Sequence, residues 1–574
     1  MTQAIANPPQ PAGASFSELF TPKLVTVMRE GYTLQHLRAD TLAGLTVAIV
    51  ALPLSMAIAI ASGATPAQGL YTAIIGGFLV SALGGSRFQI GGPAGAFIVL
   101  VFGTVQQHGM DGLILATFLS GIMLSLAGLA RIGAYIKFIP YPVTVGFTAG
   151  IGVIIFSSQI KELLGLKLTG TEPGPLLEKL PVLWRAMPSL DPVTAAVAAG
   201  TVLVIIMVKK TRPHWPVLLI AITLAGLAAW AFKLPVATIG TKFGGIPNAL
   251  PAPHLPAFSL AKISEVFPNA LAFTLLGAIE SLLSAVVADG MSGRRHRSNC
   301  ELVAQGVANV GSSLFGGICV TGTIARTATN VRARAHGPVS GMLHSLFVLL
   351  FMLVAAPLAS YIPLAALAGI LAVVAWDMVE KQAFRNLLRA SGGDAAVLLV
   401  TLLLTVFRDL TEAIVVGFAL GSVLFIHRMS KATAIVSHAP FVPEDRADGA
   451  DGPRQPYNPA AGDPDIAVYR ISGVFFFGAA ASIGAVFDSI ADTHKALVLD
   501  FTAVPFVDST GANTIEGLAR KAHRKNVQIY LAGTSHAVRE SLFALGLKPP
   551  HVHYELDVAH AVSKARHHIE RQGS

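Results

Sequence analysis

The sequence predicts a polytopic α-helical membrane protein of about fourteen transmembrane segments, arranged as two inverted halves and followed by a small soluble α/β domain. Three observations carry this. The 574 residues are 53% hydrophobic and 13% charged with a mean hydropathy of +0.63, whereas soluble domains carry roughly 25% charge. The apolar residues fall in blocks of about 17 to 23, the length that crosses a hydrocarbon core of about 30 Å. Beyond residue 430 the blocks stop, and a polar stretch leads into short alternating strand and helix patterns.

The apolar segments lie near 42–61, 67–84, 91–106, 113–130, 142–162, 192–208, 216–232, 267–289, 300–316, 320–333, 338–356, 362–377, 394–408 and 411–427. The third and tenth are the poorest helices. Residues 1–37 are polar, carry Pro8, Pro9 and Pro11, and lack a short apolar stretch followed by small residues. They are expected to form a cytoplasmic segment without a cleavable signal. With that end inside, the cytoplasmic loops hold Arg87; Arg131 and Lys137; Lys209, Lys210 and Arg212; Arg294, Arg295 and Arg297; Arg332 and Arg334; and Lys381, Arg385 and Arg389. The opposite loops are neutral, mixed or acidic: Asp111, then Glu162, Glu172 and Glu178 among Lys161, Lys167, Lys179 and Arg185, and later Arg408 with Asp409. This positive-inside bias places both termini in the cytoplasm, and the expected location is a bacterial inner membrane. It also accounts for the net charge of +9 without a nucleic-acid partner.

Two stretches follow one script. Leu52-Pro53-Leu54 marks a break in segment one, Gly91-Gly92-Pro93-Ala94-Gly95 follows about forty residues later, and Ile139-Pro140 opens a Gly-rich helix. Glu280 in segment eight precedes Thr321-Gly322-Thr323 by a similar distance, and Ile362-Pro363 again opens a small-residue helix. Seven segments separate the copies, and an odd number of crossings inverts the second. Backbone without helical hydrogen bonds survives at membrane depth only where it lines a protein cavity, and the amide end of a half-helix carries partial positive charge. Paired interruptions in inverted halves therefore point to an anion site. The alternative is that Gly91, Gly92 and Gly322 only permit close helix packing.

Glu280 is a carboxylate in the middle of an apolar segment, a placement that costs about 2.5 to 3.5 kcal/mol on insertion scales and that marks a functional group. Proton carriage is the chemistry that suits it, and a structural hydrogen bond is the alternative. Ser284 shares its helical face. Arg326 follows Thr323-Ile324-Ala325 and lies near an interrupted helix, where a guanidinium can neutralise a carboxylate or an oxyanion; alternatively it joins the basic run of Arg332 and Arg334. Gln68 and Gln159 are further polar candidates. Cys300 and Cys319 suit structural roles. His214, His254, His344 and His427 are scattered without metal-ligand spacing, so no metal or other cofactor is expected. No GxxxxGK[ST] loop occurs, which argues against ATP-driven pumping.

The tail reads as a linker over 431–464 and a domain over 465–574, with strands near 466–471, 474–477, 496–501 and 527–532 and helices near 480–493, 509–523, 535–545 and 558–570. Ser509, at a loop running into a helix, is expected as its N-cap; a phosphorylatable regulatory position is the sharper alternative.

Leu52-Pro53-Leu54-Ser55-Met56-Ala57, Gly69-Leu70-Tyr71, Gly91-Gly92-Pro93-Ala94, the run from Gly277 through Glu280 to Asp289-Gly290-Met291, and Asn299 with Glu301-Leu302 together resemble the SulP anion-permease family over nearly the whole chain. The tail resembles the sulfate transporter and anti-sigma antagonist (STAS) domain that this family carries. The resemblance implies a seven-plus-seven inverted repeat, a core domain (within 38–430) that moves against a gate domain as an elevator, a homodimer, and no enzymatic activity. Carried over position by position, the site consists of Pro53, Ser55 and Ala57; Gly92, Pro93, Ala94, Ala96 and Phe97; Ser284; and Thr321, Gly322, Thr323, Ile324, Ala325 and Arg326, with Glu280 coupling a proton. Sodium-coupled bicarbonate relatives tend to hold Asp in place of Glu280 and a Thr hydroxyl where Ile324 stands, which favours protons over sodium here. The run around Glu280 looks most like members that take up C4-dicarboxylates such as succinate or fumarate, with sulfate as the other cargo. A sodium–bicarbonate symporter or anion exchanger is the alternative, a nucleobase symporter a weaker one, and the tail is a candidate dock for a cytosolic protein partner.

Overall fold

The computed structural model describes residues 15–133, 140–170, 172–212, 215–408, 410–432, 434–437, 465–476, 494–544 and 546–572, in two compact units, Met1–Ala419 and Leu420–Ser574. The first half of the membrane unit holds α1 (Leu34–Ala61), α2 (Pro66–Leu83), the two-residue strand β1 (Gly91–Gly92), α3 (Ile98–Leu129), α4 (Tyr141–Leu164), α5 (Pro192–Thr211) and α6 (Val217–Ala231). The second half holds α7 (Leu260–Ser292), α8 (Ser298–Leu314), the strand β2 (Thr321–Gly322), α9 (Ile324–Arg332), α10 (Val339–Ala359), α11 (Leu364–Met378), the short helix α12 (Lys381–Ala390), α13 (Gly392–Phe407) and α14 (Leu410–Ala432).

The helix pairings expose the internal symmetry. α1 packs on α10 as α7 packs on α3, α8 packs on α3 as α2 packs on α10, and α13 packs on α4 as α5 packs on α11. Exchanging the two halves returns the same set of pairs. The strands lie where the halves meet, paired antiparallel with Gly91 opposite Gly322 and Gly92 opposite Thr321. The pairings also sort the helices into two bodies, one of α1–α3 with α7–α10 and one built on α4, α5, α6, α11 and α13.

Two local details differ from the sequence reading, and a third agrees with it. α1 runs without interruption through Pro53, so the Leu52-Pro53-Leu54 break is absent; the proline removes one hydrogen bond, and the surrounding helix packing holds the rest. Segments three and four are separate helices, as expected, that abut at Gly109, whose φ of 69° and ψ of −174° are non-helical; α3 denotes the two together. Segment two contains a π-helical turn, Thr72–Gly76, which aims the Thr72 hydroxyl so that it accepts from the Ile318 amide at 2.8 Å.

In the second unit a five-stranded sheet has the order β3 (Ala434–Ser437), β4 (Ile466–Ser472), β5 (Ala496–Ala503), β6 (Gln528–Ala532), β7 (His553–Glu555). β3 runs antiparallel to β4 and the rest are parallel. Helices α15 (Ser509–Arg524), α16 (His536–Ala544) and α17 (Val558–Gln572) complete it. β3 lies inside the stretch read as a linker: Pro443 to Pro464 masks the signal of a four-residue strand that only its pairing partner reveals. The strand expected at 474–477 is a single bridge from Phe475 to Val507, and the helix expected at 480–493 lies outside the described residues. Asp508, rather than Ser509, caps α15, its carboxylate accepting from the Gly511 amide at 2.8 Å; Ser509 is the exposed first residue of the helix.

Asp500, buried at the end of β5, accepts from the Arg470 Nε at 2.7 Å and from the Thr502 amide at 2.9 Å. Burial pushes its carboxyl up, but the Thr502 hydroxyl and amide and the Arg470 charge together outweigh burial and hold it below the ordinary carboxylate value. A depressed folded-state pKa contributes stability above the unfolded value, and that contribution is lost as pH falls through the folded value. Asp500→Asn should therefore lower the unfolding temperature of the soluble unit at pH 7, with the gap from wild type closing below about pH 4. Differential scanning fluorimetry across pH 3 to 7 reads it, and a gap constant over that range would refute the assignment.

Candidate anion site

Each strand feeds a half-helix. β1 leads through Pro93 and Ala94 into the 3-10 turn Gly95–Phe97 and then α3, and β2 leads through Thr323 directly into α9. The first four amides of a helix have no intrahelical acceptor, so two sets of amides and two positive dipole ends converge on the strand crossing. The strands are held by side chains from their own half and from the opposite one. Asn309 of α8 bonds both the Val320 carbonyl (2.8 Å) and the Val320 amide (2.9 Å). Thr327 of α9 accepts from the Ile90 amide at 3.1 Å, and the Asn330 amide donates to the Phe88 carbonyl at 2.9 Å.

Arg326 lies in this crossing with no exposure at all. Its Nη2 donates to the Ser55 hydroxyl at 3.1 Å and to the Pro93 carbonyl at 3.3 Å, while Nε and Nη1 have no hydrogen-bond partner. No carboxylate forms an ion pair with it among the described residues. This overturns the alternative that Arg326 belongs to the exposed basic run. A buried charge without a counter-ion costs several kcal/mol, and a bound anion would relieve that cost. A Cβ at Gly92 would stand 2.3 Å from Nη1, and a Cβ at Gly322 would stand 1.9 Å from the Gln89 side-chain nitrogen. These glycines admit side chains of the crossing rather than neighbouring helices.

The remaining predicted residues divide. Ser55 contacts Arg326 directly, Pro93 contributes its carbonyl, and Ala57, Ala94, Ala96 and Phe97 are buried around the turn into α3. Thr321 and Thr323 are buried, but their hydroxyls donate to the Gly277 and Ile90 carbonyls, at 3.3 and 3.1 Å. Ile324 is half-buried and Ala325 exposed, so neither stands beside the guanidinium in the manner of Ser55. Pro53 lies two residues before Ser55 in α1 and is buried. The hydroxyl of Ser284 donates to Thr327 at 3.0 Å, which makes it a support for α9. Glu280 is 6% exposed and has no hydrogen-bond or ion-pair partner among the described residues. Gln68 and Gln159 bond elsewhere, to the Gly316 carbonyl and the Ser158 hydroxyl.

The sequence reading passed over Gln89, Ser281, Asn309 and Thr327. Gln89 donates to Ser281 at 2.8 Å directly under β2. Their signal was present as polar residues inside apolar helices near the interrupted segments, but each bonds across more than ten residues of chain and acquires meaning only from its partner.

A helical membrane unit of two inverted halves, with a buried unneutralised cation at the crossing of two half-helices, defines a membrane anion transporter. The chain belongs to the sulfate permease family, whose model matches residues 37–401, and the STAS domain model matches residues 457–561. It is 40% identical to "Putative sulfate transporter YvdB" of Bacillus subtilis (strain 168) over 90% of this chain and 95% of that protein. It is 30% identical to the bicarbonate transporter BicA of Picosynechococcus over 89% of this chain and 91% of that one. Its fold is similar to the murine Solute Carrier 26 family member A9 anion transporter, with a TM-score of 0.82, 18% identity, and coverage of 98% of this chain and 97% of that chain. The protein is a transporter and not an enzyme.

Gly92→Ala, whose methyl would stand 2.3 Å from Nη1, should displace the guanidinium and lower anion affinity by about tenfold or more, the scale of one charged hydrogen bond, in the fraction of protein that folds. Gly103→Ala, where a methyl meets open space, is the control. Anion-dependent thermal shift of both variants checks this, and equal shifts would refute the geometry.

Proposed function

We propose that the protein is a secondary active transporter that imports a small oxyanion, sulfate or a C4-dicarboxylate, together with a proton, and that the anion sits at the crossing of β1 and β2 against Arg326. The observation that carries this reading is the fully buried guanidinium with two unpartnered nitrogens, Nε and Nη1, and no carboxylate ion pair among the described residues. A small anion with several acceptor oxygens satisfies both donors and the converging half-helix amides at once. Glu280, buried in α7 and free of any ion pair, is the group that suits proton carriage. The sorting of helices into two bodies supports an elevator motion in which the body of α1–α3 and α7–α10 carries the site past the other. We place the protein in a bacterial inner membrane with both termini cytoplasmic, as a homodimer. Ser509, exposed at the start of α15, remains available for modification.

A second reading, bicarbonate as the cargo, is favoured by the 30% identity to BicA. Ile324 at the start of α9 offers no hydroxyl for a sodium ion, which supports protons for this chain.

Reconstituted protein supplied with labelled sulfate, succinate or bicarbonate separates these readings. Uptake of sulfate or succinate should rise with an inward proton gradient. Glu280→Gln should still show anion-dependent thermal stabilisation but lose the gradient response, whereas Arg326→Gln should lose binding by roughly 10- to 100-fold. Uptake insensitive to the gradient and to Glu280→Gln overturns the coupling, and uptake of bicarbonate alone, driven by sodium, replaces the reading.

A further inference from the structure

The loop between α4 and α5 contains a short helix, Leu176–Ala186, whose two buried residues are Lys179 and Leu183. A lysine on the inward face of an amphipathic helix is unusual, since lysine is almost never fully buried unless paired. Lys179 is 4% exposed. Its Nζ has one counter-ion, Glu172, at 3.1 Å, with 15% of the Glu172 side chain still exposed. On its other side it stands 5.9 Å from the centroid of the Phe102 ring, within cation–π range.

The placement of Phe102 gives this pair its meaning. Phe102 lies five residues after Phe97 along α3, roughly 7.5 Å along the helix from the candidate anion site. It packs against the turn after α1, where a Cβ at Gly63 would be 3.4 Å from its ring. Lys179 therefore sits on the side of the membrane where α1 ends. The Leu176–Ala186 helix packs on α4 and α13, so Lys179 belongs to one helical body and Phe102 to the other. The contact of Lys179 with the Phe102 ring bridges the seam along which the two bodies would separate, while its ion pair with Glu172 stays within the α4–α5 loop.

We infer that Lys179 is a second, outer binding site for the transported oxyanion, and that Glu172 is a tethered carboxylate occupying it when no anion is present. The inference rests on the anion-transport reading above. A buried ammonium without a counter-ion costs several kcal/mol, but one carboxylate can be exchanged for another carboxylate or a sulfate at little net cost, because both are oxyanions making the same charged hydrogen bond. Glu172, the more exposed partner, can swing into water. An incoming anion would take its place on Lys179, and the Lys179–Phe102 contact is then free to open toward Arg326.

The test is transport by right-side-out proteoliposomes of the full chain, with KM for sulfate measured separately from the outer and inner faces, and an Arg326→Gln variant as the inactive reference. Lys179→Met should raise the outer KM about tenfold, the scale of one charged contact, with the inner KM within about twofold of wild type, and Lys179→Arg should restore the outer value. Glu172→Gln, which removes the competing carboxylate, should lower the outer KM. A structural ion pair behaves differently: Lys179→Met and Glu172→Gln would each lower the unfolding temperature, and neither would move the outer KM. That result, or equal changes of KM at both faces, overturns the inference while transport lost in Arg326→Gln leaves the first site standing. If Lys179→Met fails to fold, Glu172→Gln decides alone, an unchanged outer KM counting against the outer site. Where wild-type protein carries succinate rather than sulfate, the outer and inner KM are read with succinate; transport of neither defeats the underlying reading.

Discussion

The membrane unit is organised around one unfavourable interaction, the burial of the Arg326 guanidinium without a carboxylate partner. A charge in that position is tolerable because the neighbouring structure offers it the Ser55 hydroxyl, the Pro93 carbonyl and the space left by Gly92, and because its remaining donors face the region where an anion would sit. Neutralising Arg326 internally with an aspartate would make a more stable protein, since breaking an internal pair costs about 3 to 5 kcal/mol. It would also abolish the incentive to bind anything. On the proposed reading, the cation is held in a state that a ligand completes.

Holding it requires non-helical backbone at membrane depth, and the inverted repeat is the way that backbone is kept satisfied. Each two-residue strand gives its hydrogen bonds to the other, and the residues that lead into each strand are bonded by side chains from the opposite half: Thr72 for the approach to β2, Thr327 and Asn330 for the approach to β1, with Asn309 adding a bond from β2's own half. Neither half can do this alone. The pseudo-twofold exchange of helix pairs, α1 on α10 and α7 on α3, follows from the same requirement, because a crossing of two equal strands demands equal surroundings.

The separate roles of glycine and hydroxyl residues within the crossing explain why a list of conserved-looking polar positions would be a poor map of ligand contacts. Thr321, Thr323 and Ser284 spend their hydroxyls on carbonyls or on Thr327, so their loss would loosen the strands. Ser55 is the hydroxyl that reaches the guanidinium. Lys179 presents the complementary case at the loop between α4 and α5: a buried cation whose counter-ion is supplied, but by a side chain that remains partly in water.

Much of the fold class was legible in the sequence because membrane solvent imposes simple rules: segment lengths follow from bilayer thickness, and the inverted repeat from two interrupted segments seven apart. The residues Gly92, Glu280 and Arg326 were visible for the same reason, since a glycine break and an intramembrane charge are both exceptions to an apolar rule. Tertiary structure alone decided the rest. Proline in α1 does not break a helix packed on α10, Ala434–Ser437 becomes a strand only beside β4, and Ser284 is committed to Thr327 rather than to a ligand. That Arg326 and Glu280 do not pair, and that Lys179 is buried over Phe102, are facts about which atoms meet across more than forty residues of chain. Periodicity and composition report on solvent, and solvent is blind to which buried partner a side chain will find.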